Sequence, residues 1–190
     1  SSRILNHLAN ICEFPVNVVS LTGGVNYYLP NTRSSIFNAK LYLTPAPLLM
    51  ASEDIVKAME QEPSVKQIRH MATLAQMSIV GIGGVDSNAT LLTNGTLNHS
   101  DVLLLSMQGA VGDMLCHFID KDGNVIQSSL ERRLMSTPLE QLKEMSNSIG
   151  VAGGSTKSEA ILAALKGNYL DVLITDETTA TNVLRLKNQE

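Results

Sequence analysis

Short apolar runs that end in glycine recur along this chain of 190 residues and alternate with segments of helical periodicity. The runs VNVVSLT, MSIVGI and SIGVA each lead into a glycine pair, and a fourth run holds Gly109 and Gly112. Runs this short, rich in β-branched residues and closed by glycine, are typical of buried strands. Strands that alternate with helices predict an α/β fold with a mainly parallel, doubly wound sheet covered on both faces.

Helices are predicted between these strands from the spacing of apolar residues. The spacings of three and four after Ser52 predict two successive helices, and DVLLLSM, SEAILAALKG and TTATNVLRL predict three more. Two capping boxes are predicted, with Thr137 and Thr156 as the N-caps, because each is followed three residues later by glutamate. Asp176 is predicted to cap the last helix, and Gly167 to end the helix before it.

Turn residues predict where the chain breaks or reverses. Pro45 and Pro47 are expected to end the strand LYLTPAPLL in a loop, because proline cannot donate to a sheet ladder. Residues 34–39 are predicted to form a short helix. The Asp-Gly pair at residues 122 and 123 predicts a hairpin between a strand over MLCHFID and a returning strand VIQSSL.

Size and charge limit the class of protein. A chain of 190 residues can bury one substantial core, so residues 1–190 are expected to form one domain. Fourteen Lys and Arg residues against eighteen Asp and Glu residues give a net charge of −4, which is unsuited to neutralising the phosphates of a duplex. With no apolar run long enough to span a membrane and no signal-type leader, a cytoplasmic protein is expected. Cys12 and Cys116 are then expected to be buried thiols.

The glycine-rich strand ends are the candidate binding site. In an open parallel sheet, ligands bind beyond the carboxyl ends of the strands, where glycine lets backbone N–H groups approach an anion closely. Lys157 is predicted to lie in the first turn of a helix that follows Gly153-Gly154, where a cation does not help the helix but can bind phosphate. A solvated surface lysine is the alternative.

Asp113 is the second candidate, because it follows the glycine-rich stretch GAVG and can accept hydrogen bonds from sugar hydroxyls. A plain turn-forming aspartate is the alternative interpretation. For Asp176, capping a helix is a sufficient explanation. We expect no metal, cofactor or nucleophile site, since the histidines lack ligand spacing and no Gly-x-Ser-x-Gly elbow is present.

The order of motifs, LTGGV, PAPLL, VGIGGV, GAVGDMLCHFIDKDG, GVAGGSTKSEAILAALKG and LITDETTA, resembles the effector-binding domain of the SorC family of transcription regulators. The likeness runs from about Val18 to Leu186 and is strongest to the Lsr-type repressors, which sense a phosphorylated autoinducer. It implies a Rossmann-like sheet similar to that of sugar-phosphate isomerases and deaminases. It also implies an N-terminal helix-turn-helix domain that binds operator DNA and is absent from this chain.

The resemblance also implies roles for individual residues. The family's ligand-binding aspartate falls on Asp113 and its lysine on Lys157. Leu115 would line the pocket, Gly24 and Gly83 would supply close backbone, and Ser2 would lie near the ligand phosphate. The expected function is to sense a phosphorylated sugar or polyol in a homo-oligomer, by binding one quaternary arrangement better than another. A sugar-phosphate isomerase or deaminase and a pure oligomerisation module are the alternatives, although no His-carboxylate constellation is evident for catalysis.

Overall fold

A computed structural model of the protein describes residues 16–24, 39–85, 90–93 and 95–189. The described residues up to Ala75, together with Arg133–Ser136, form a first compact unit. The described residues of Gln76–Arg132 and those from Thr137 onward form a second. The expectation of a single domain remains a prediction.

The first unit contains a two-stranded parallel sheet. Strand β1 (Val16–Val19) pairs with β2 (Ala39–Tyr42) in parallel. The loop after β2 holds Pro45 and Pro47, as predicted. β1 is not the buried strand that its apolar composition suggests, since Val16 is 36% exposed. Of the helix predicted over residues 34–39, residue 39 lies in β2 and the others lie outside the described residues.

Two helices complete the first unit, as the apolar spacing predicts. Helix α1 (Glu53–Gln61) is capped by the side chain of Ser52, which accepts a hydrogen bond from the N–H of Ile55. Helix α2 (Pro63–Thr73) begins directly after it, with proline in its first turn. Proline suits this place because its missing N–H would have no partner within the helix. The core cluster of this unit comprises Ala46, Met50, Val56, Val65 and Met135.

The second unit is built on a five-stranded sheet in the order β5-β4-β3-β6-β7. β6 and β7 run parallel to β3, whereas β4 and β5 form an antiparallel hairpin beside it. The predicted fold class is confirmed: the protein is a mixed α/β chain with mostly parallel strand pairs. The strands are β3 (Ser78–Gly84), β4 (Ala110–Met114), β5 (His117–Asp120), β6 (Ser148–Val151) and β7 (Val172–Ile174).

The most buried helix of the second unit packs against the sheet. Helix α6 contacts β3, β4 and β5, and Ile161, Ala163 and Ala164 on it are fully buried. A helix that is apolar nearly all round belongs in a core. The helices of this unit are α3 (Thr90–Thr93), α4 (His99–Met107), α5 (Leu139–Glu144), α6 (Ser158–Lys166) and α7 (Glu177–Lys187), and 3-10 turns occupy Glu131–Arg133 and Ser155–Lys157.

The regular hairpin of the second unit lies before the Asp-Gly pair and not at it. The two strands β4 and β5 are joined by a two-residue turn at Leu115 and Cys116, both with positive φ. The chain does reverse at Gly123, with φ of 85°, but its return pairs only through the bridge between Ile119 and Val125. The predicted reversal at the Asp-Gly pair is therefore present, but the predicted strand VIQSSL is wrong, because the regular partner of β5 is β4.

Both predicted capping boxes are also wrong. Thr156 lies inside the 3-10 turn, so it cannot adopt the extended conformation that an N-cap requires. At the other site the N-cap of α5 is Pro138, and no side chain caps the helix. A capping box does occur at Asn98, whose side chain and that of Asp101 each accept from the other's backbone N–H. The predicted cap Asp176 is confirmed, because it accepts from the N–H of Thr179.

The ends of two strands also differ from expectation. Gly83 and Gly84 are the last two residues of β3 and not the start of a loop after it, since they pair with Asp113 and Gly112 of β4. β7 is an edge strand and is not buried, since Val172 is 46% exposed.

Candidate functional site

Asp113 lies near the end of β4, against the neighbouring strand β3. Its carboxylate Oδ2 accepts a hydrogen bond from the N–H of Cys116 at 3.2 Å. Its Oδ1 lies over Gly83, the residue paired with it across the ladder, where an added Cβ would come within 1.9 Å of that oxygen. Glycine at position 83 therefore makes the space in which the carboxylate lies.

A second close approach brings helix α6 against the same strand. An added Cβ at Gly112 would lie 2.3 Å from the Cβ of Ala160 and 2.7 Å from the carbonyl oxygen of Gly83. Only a residue without a side chain allows helix and strand to pack this closely. The 3-10 turn that precedes α6 contacts β3, the strand that pairs with β4.

Lys157 ends that 3-10 turn and is the residue directly before α6. Its N–H donates to the carbonyl of Gly154 at 2.9 Å, and the residue is partly buried. Within the described part of the chain, its ammonium makes no hydrogen bond or ion pair, yet it is near enough to Asp113 to affect that carboxyl electrostatically. The two residues that sequence reasoning ranked highest thus lie near each other.

Burial dominates the electrostatics of this site. Loss of solvent raises the pKa of Asp113 from 3.8 to about 6, against the opposing effects of the Cys116 N–H, Lys157 and His117. A carboxyl group is ionised above its pKa, so the Asp113 side chain is mostly ionised at neutral pH, although it is poorly solvated. A carboxylate in this state gains strongly from hydroxyl or N–H donors brought by a ligand.

The glycine loop before Lys157 is fixed by the start of helix α7. The N–H of Gly154 donates to Asp176 Oδ2 at 3.1 Å and to Thr179 Oγ1 at 2.8 Å. Gly154 has φ of 107°, which favours glycine, and an added Cβ at Gly153 would lie 2.7 Å from Asp176 Oδ2. Asp176 therefore caps α7 and holds the loop at once, and hydrogen bonds from the side chain and N–H of Thr179 lower its pKa.

Comparison with known proteins identifies the family. A profile of the family described as "Putative sugar-binding domain" matches residues 2–185. The chain belongs to this family. The relatives include the transcriptional regulator LsrR of Klebsiella pneumoniae subsp. pneumoniae, 36% identical over 96% of this chain and 58% of that protein. LsrR of Escherichia coli K12 is 37% identical over 90% of this chain and 55% of that protein.

Solved structures share the fold of this sugar-binding domain. A DeoR family transcriptional regulator from Listeria monocytogenes superposes with a TM-score of 0.81 at 22% identity, covering 94% of this chain and 75% of that one. The full-length sorbitol operon regulator SorC from Klebsiella pneumoniae superposes with a TM-score of 0.78 at 24% identity, covering 96% and 64%. The chain spans less than two thirds of the length of the LsrR relatives that it matches.

Three further residues of the sugar-binding domain were predicted to line the site: Leu115, Gly24 and Ser2. Leu115 lies in the turn after β4, with φ of 51°, and not in the strand where it was expected. Gly24 belongs to the first unit, is buried, and donates its N–H to the carbonyl of Ala46 at 2.9 Å. Ser2 lies outside the described residues. Their ligand contacts remain predictions.

Sequence reasoning missed a buried His-carboxylate pair in this domain. Nδ1 of His117 lies 2.7 Å from Glu131 Oε1, and Nε2 lies 2.9 Å from the carbonyl oxygen of Thr137. The expectation that no such constellation exists was therefore wrong. The two residues are 14 apart in sequence and lie in different elements, so no local spacing signals their pairing.

The following holds for the described residues 16–24, 39–85, 90–93 and 95–189. None of these residues forms a group of three or more His, Cys, Asp or Glu side chains arranged to hold a metal ion. Among the helices of the same residues, none combines the length and apolarity needed to cross a membrane. Cys116 is a free, partly buried thiol whose pKa is raised, first by burial and then by Asp113. Cys12 lies outside the described residues.

Proposed function

We propose that this domain senses a phosphorylated sugar or polyol on behalf of a bacterial transcription regulator. The observation that carries the proposal is the pair formed by Asp113 and Lys157. A poorly solvated carboxylate on β4 lies near an ammonium that has no hydrogen bond or ion pair among the described residues. The relatives named above are transcription regulators, which supports the role in sensing.

The two charges suit opposite ends of one ligand. A phosphate bound by Lys157 would gain a charge-assisted hydrogen bond. Sugar hydroxyls would donate to the Asp113 oxygens, whose one hydrogen-bond donor within the described residues is the Cys116 N–H. A neutral sugar would leave Lys157 without an anion, and inorganic phosphate would leave Asp113 without donors. A sugar phosphate satisfies both residues.

Catalysis is the weaker alternative. The buried pair of His117 and Glu131 is the one His-carboxylate pair in the described chain that could supply a general base. Its imidazole is only 4% exposed, and both ring nitrogens are already hydrogen-bonded. A base must reach the proton that it removes. An imidazole held in this way favours a structural role.

Sensing requires that the ligand shift a population. In the proposed mechanism the effector binds one arrangement of a homo-oligomer, a dimer or tetramer, better than another. Operator DNA would be bound by a part of the regulator outside this chain, in the bacterial cytoplasm. By reciprocity, DNA binding would then change the affinity for effector by the same factor.

A thermal-shift panel tests the proposal. Glucose 6-phosphate, fructose 6-phosphate, ribose 5-phosphate and glycerol 3-phosphate would be compared with the unphosphorylated compounds and with inorganic phosphate. A ligand present at 100 times its dissociation constant raises the free energy of unfolding by about 2.7 kcal/mol. We expect at least one phosphorylated compound to stabilise the domain more than both of its controls. Equal stabilisation by a sugar and its phosphate would contradict the proposal.

A further inference from the structure

His117 is a buried residue that the proposed ligand site does not use directly. Nε2 faces the carbonyl oxygen of Thr137, which can only accept, so this nitrogen must carry a hydrogen. Nδ1 faces Glu131 Oε1 at 2.7 Å, within hydrogen-bonding distance. The imidazole is thereby held at both ends and has one orientation.

The residue sits at the base of a strained turn. Leu115 and Cys116 have φ of 51° and 70°, although neither is glycine. Two-residue hairpins of this kind normally contain Asn-Gly or similar pairs, so surrounding contacts must hold the conformation. His117 pairs with Met114 to close the turn. On its other side, the Cys116 N–H donates to Asp113, so this turn determines where the ligand-binding carboxylate points.

The two partners of His117 belong to different local structures. Glu131 begins the 3-10 turn Glu131–Arg133, and Thr137 directly precedes Pro138, the N-cap of helix α5. One imidazole therefore contacts both the 3-10 turn and the start of α5.

We propose that His117 is a positioning residue, which orients Asp113 through the Leu115-Cys116 turn. The inference rests on the proposed function in assigning Asp113 to ligand hydroxyls. It adds a residue that would affect ligand binding without touching the ligand.

The variant His117→Gln tests the positioning role by calorimetry. We expect roughly tenfold weaker binding of the panel's best sugar phosphate, with the affinity for inorganic phosphate unchanged, because Lys157 is undisturbed. Glu131→Gln is the conservative variant: its amide can donate to Nδ1 of a neutral ring, so it should bind like the parent. Tyr169→Phe is the control, since it removes another buried hydrogen bond, from the Tyr169 hydroxyl to the carbonyl of Gly123. Tyr169→Phe should not change the affinity for sugar phosphate relative to the affinity for inorganic phosphate.

Amide hydrogen exchange provides a readout that needs no ligand. His117→Gln should speed exchange of the Cys116 amide more than Tyr169→Phe does. Unchanged exchange at this amide, or equal weakening of sugar phosphate and inorganic phosphate, would overturn the inference. If Asp113→Asn weakens sugar-phosphate binding and His117→Gln does not, only the positioning role fails. If Asp113→Asn has no effect either, the proposed function fails with it.

Discussion

Lys157 and Asp113 are opposite charges that the fold treats differently. Among the described residues the lysine is an unpaired cation just ahead of a helix, near backbone N–H groups that already attract anions. The aspartate is a desolvated anion beside a strand. Neither placement helps the empty domain to fold, and each would be relieved by a ligand of matching charge or hydrogen-bonding capacity.

Lys157→Ala is expected to weaken binding of a sugar phosphate by roughly tenfold to a hundredfold, because a charge-assisted contact is worth about 1.5–3 kcal/mol. The fold should persist, since this side chain has no hydrogen bond or ion pair within the described chain. Calorimetry with the panel compounds measures the effect. Lys66→Ala, at an exposed position on α2, is the matched control and should change nothing.

Asp113→Asn should weaken sugar-phosphate binding but stabilise the ligand-free domain at neutral pH. The folded-state pKa of about 6 lies above the ordinary value of 3.8, so the burial cost is absent at low pH and complete once the pH exceeds 6. The free energy of unfolding at pH 7.5 should therefore rise by roughly 1–3 kcal/mol. Urea titrations should show this gain disappearing as the pH falls towards 4.

Asp120 provides the opposite case for comparison. Burial alone would raise its pKa, but hydrogen bonds from Asn124 and the N–H of Asp122 lower it overall. Its contribution to stability is therefore present above its ordinary pKa and is lost on acidification. Asp120→Asn should destabilise the domain at pH 7.5, where Asp113→Asn stabilises it. The same sign for both variants would contradict the assignment of burial as the cause at Asp113.

At the scale of whole elements, helix α7 reaches the site through its first turn. Asp176 and Thr179 hold the N–H of Gly154 and so fix the loop from which the 3-10 turn and Lys157 begin. Removing the cap should therefore have two effects, one on the helix and one on the loop.

Asp176→Ala should lower the free energy of unfolding by about 1 kcal/mol, the usual cost of losing a helix cap. It should also weaken binding of inorganic phosphate, because the loop before Lys157 loses an anchor. Asn98→Ala removes the cap of α4 and should match the loss of stability without changing phosphate affinity. Denaturation and calorimetry on both variants separate the two effects, and identical behaviour would count against a role for α7 in the site.

Elements with a strong period could be predicted from the sequence, and elements set by distant contacts could not. The helices α1, α2, α6 and α7 follow their apolar spacing, and β6 and β7 follow their apolar runs. The turn at Leu115-Cys116 carries no glycine, asparagine or aspartate and could not be recognised. The capping boxes at Thr137 and Thr156 failed because the local pattern does not specify where the first helical turn begins.

The candidate site shows the same division. Asp113, Gly83 and Lys157 were named from glycine-rich strand ends and a helix start, and the structure brings these three together. The pairing of His117 with Glu131 depends on side chains meeting across elements, and no linear spacing reports it. The second role of Asp176, holding the Gly154 N–H, required knowing that two strand ends are neighbours.

At the scale of the whole molecule, the charge balance gives a prediction about DNA. Binding to a duplex is driven by basic side chains that neutralise phosphates and release counterions. A chain with a net charge of −4 is poorly suited to this. The isolated chain is therefore expected to show no submicromolar binding to duplex DNA in a gel-shift assay at physiological salt. A longer regulator that includes a DNA-binding part is the positive control, and tight binding by this chain alone would contradict the division of labour proposed above.

The return of Arg133–Ser136 to the first unit has a consequence for synthesis on the ribosome. Met135 is 1% exposed in a core whose other members, from Ala46 to Val65, emerge much earlier. Domains generally fold as units while the chain emerges from the ribosome. Here the first unit lacks the Met135 side chain until about half of the second unit has been synthesised. A nascent chain halted near Ala75 would leave an open hydrophobic gap, so translation order and folding order cannot coincide.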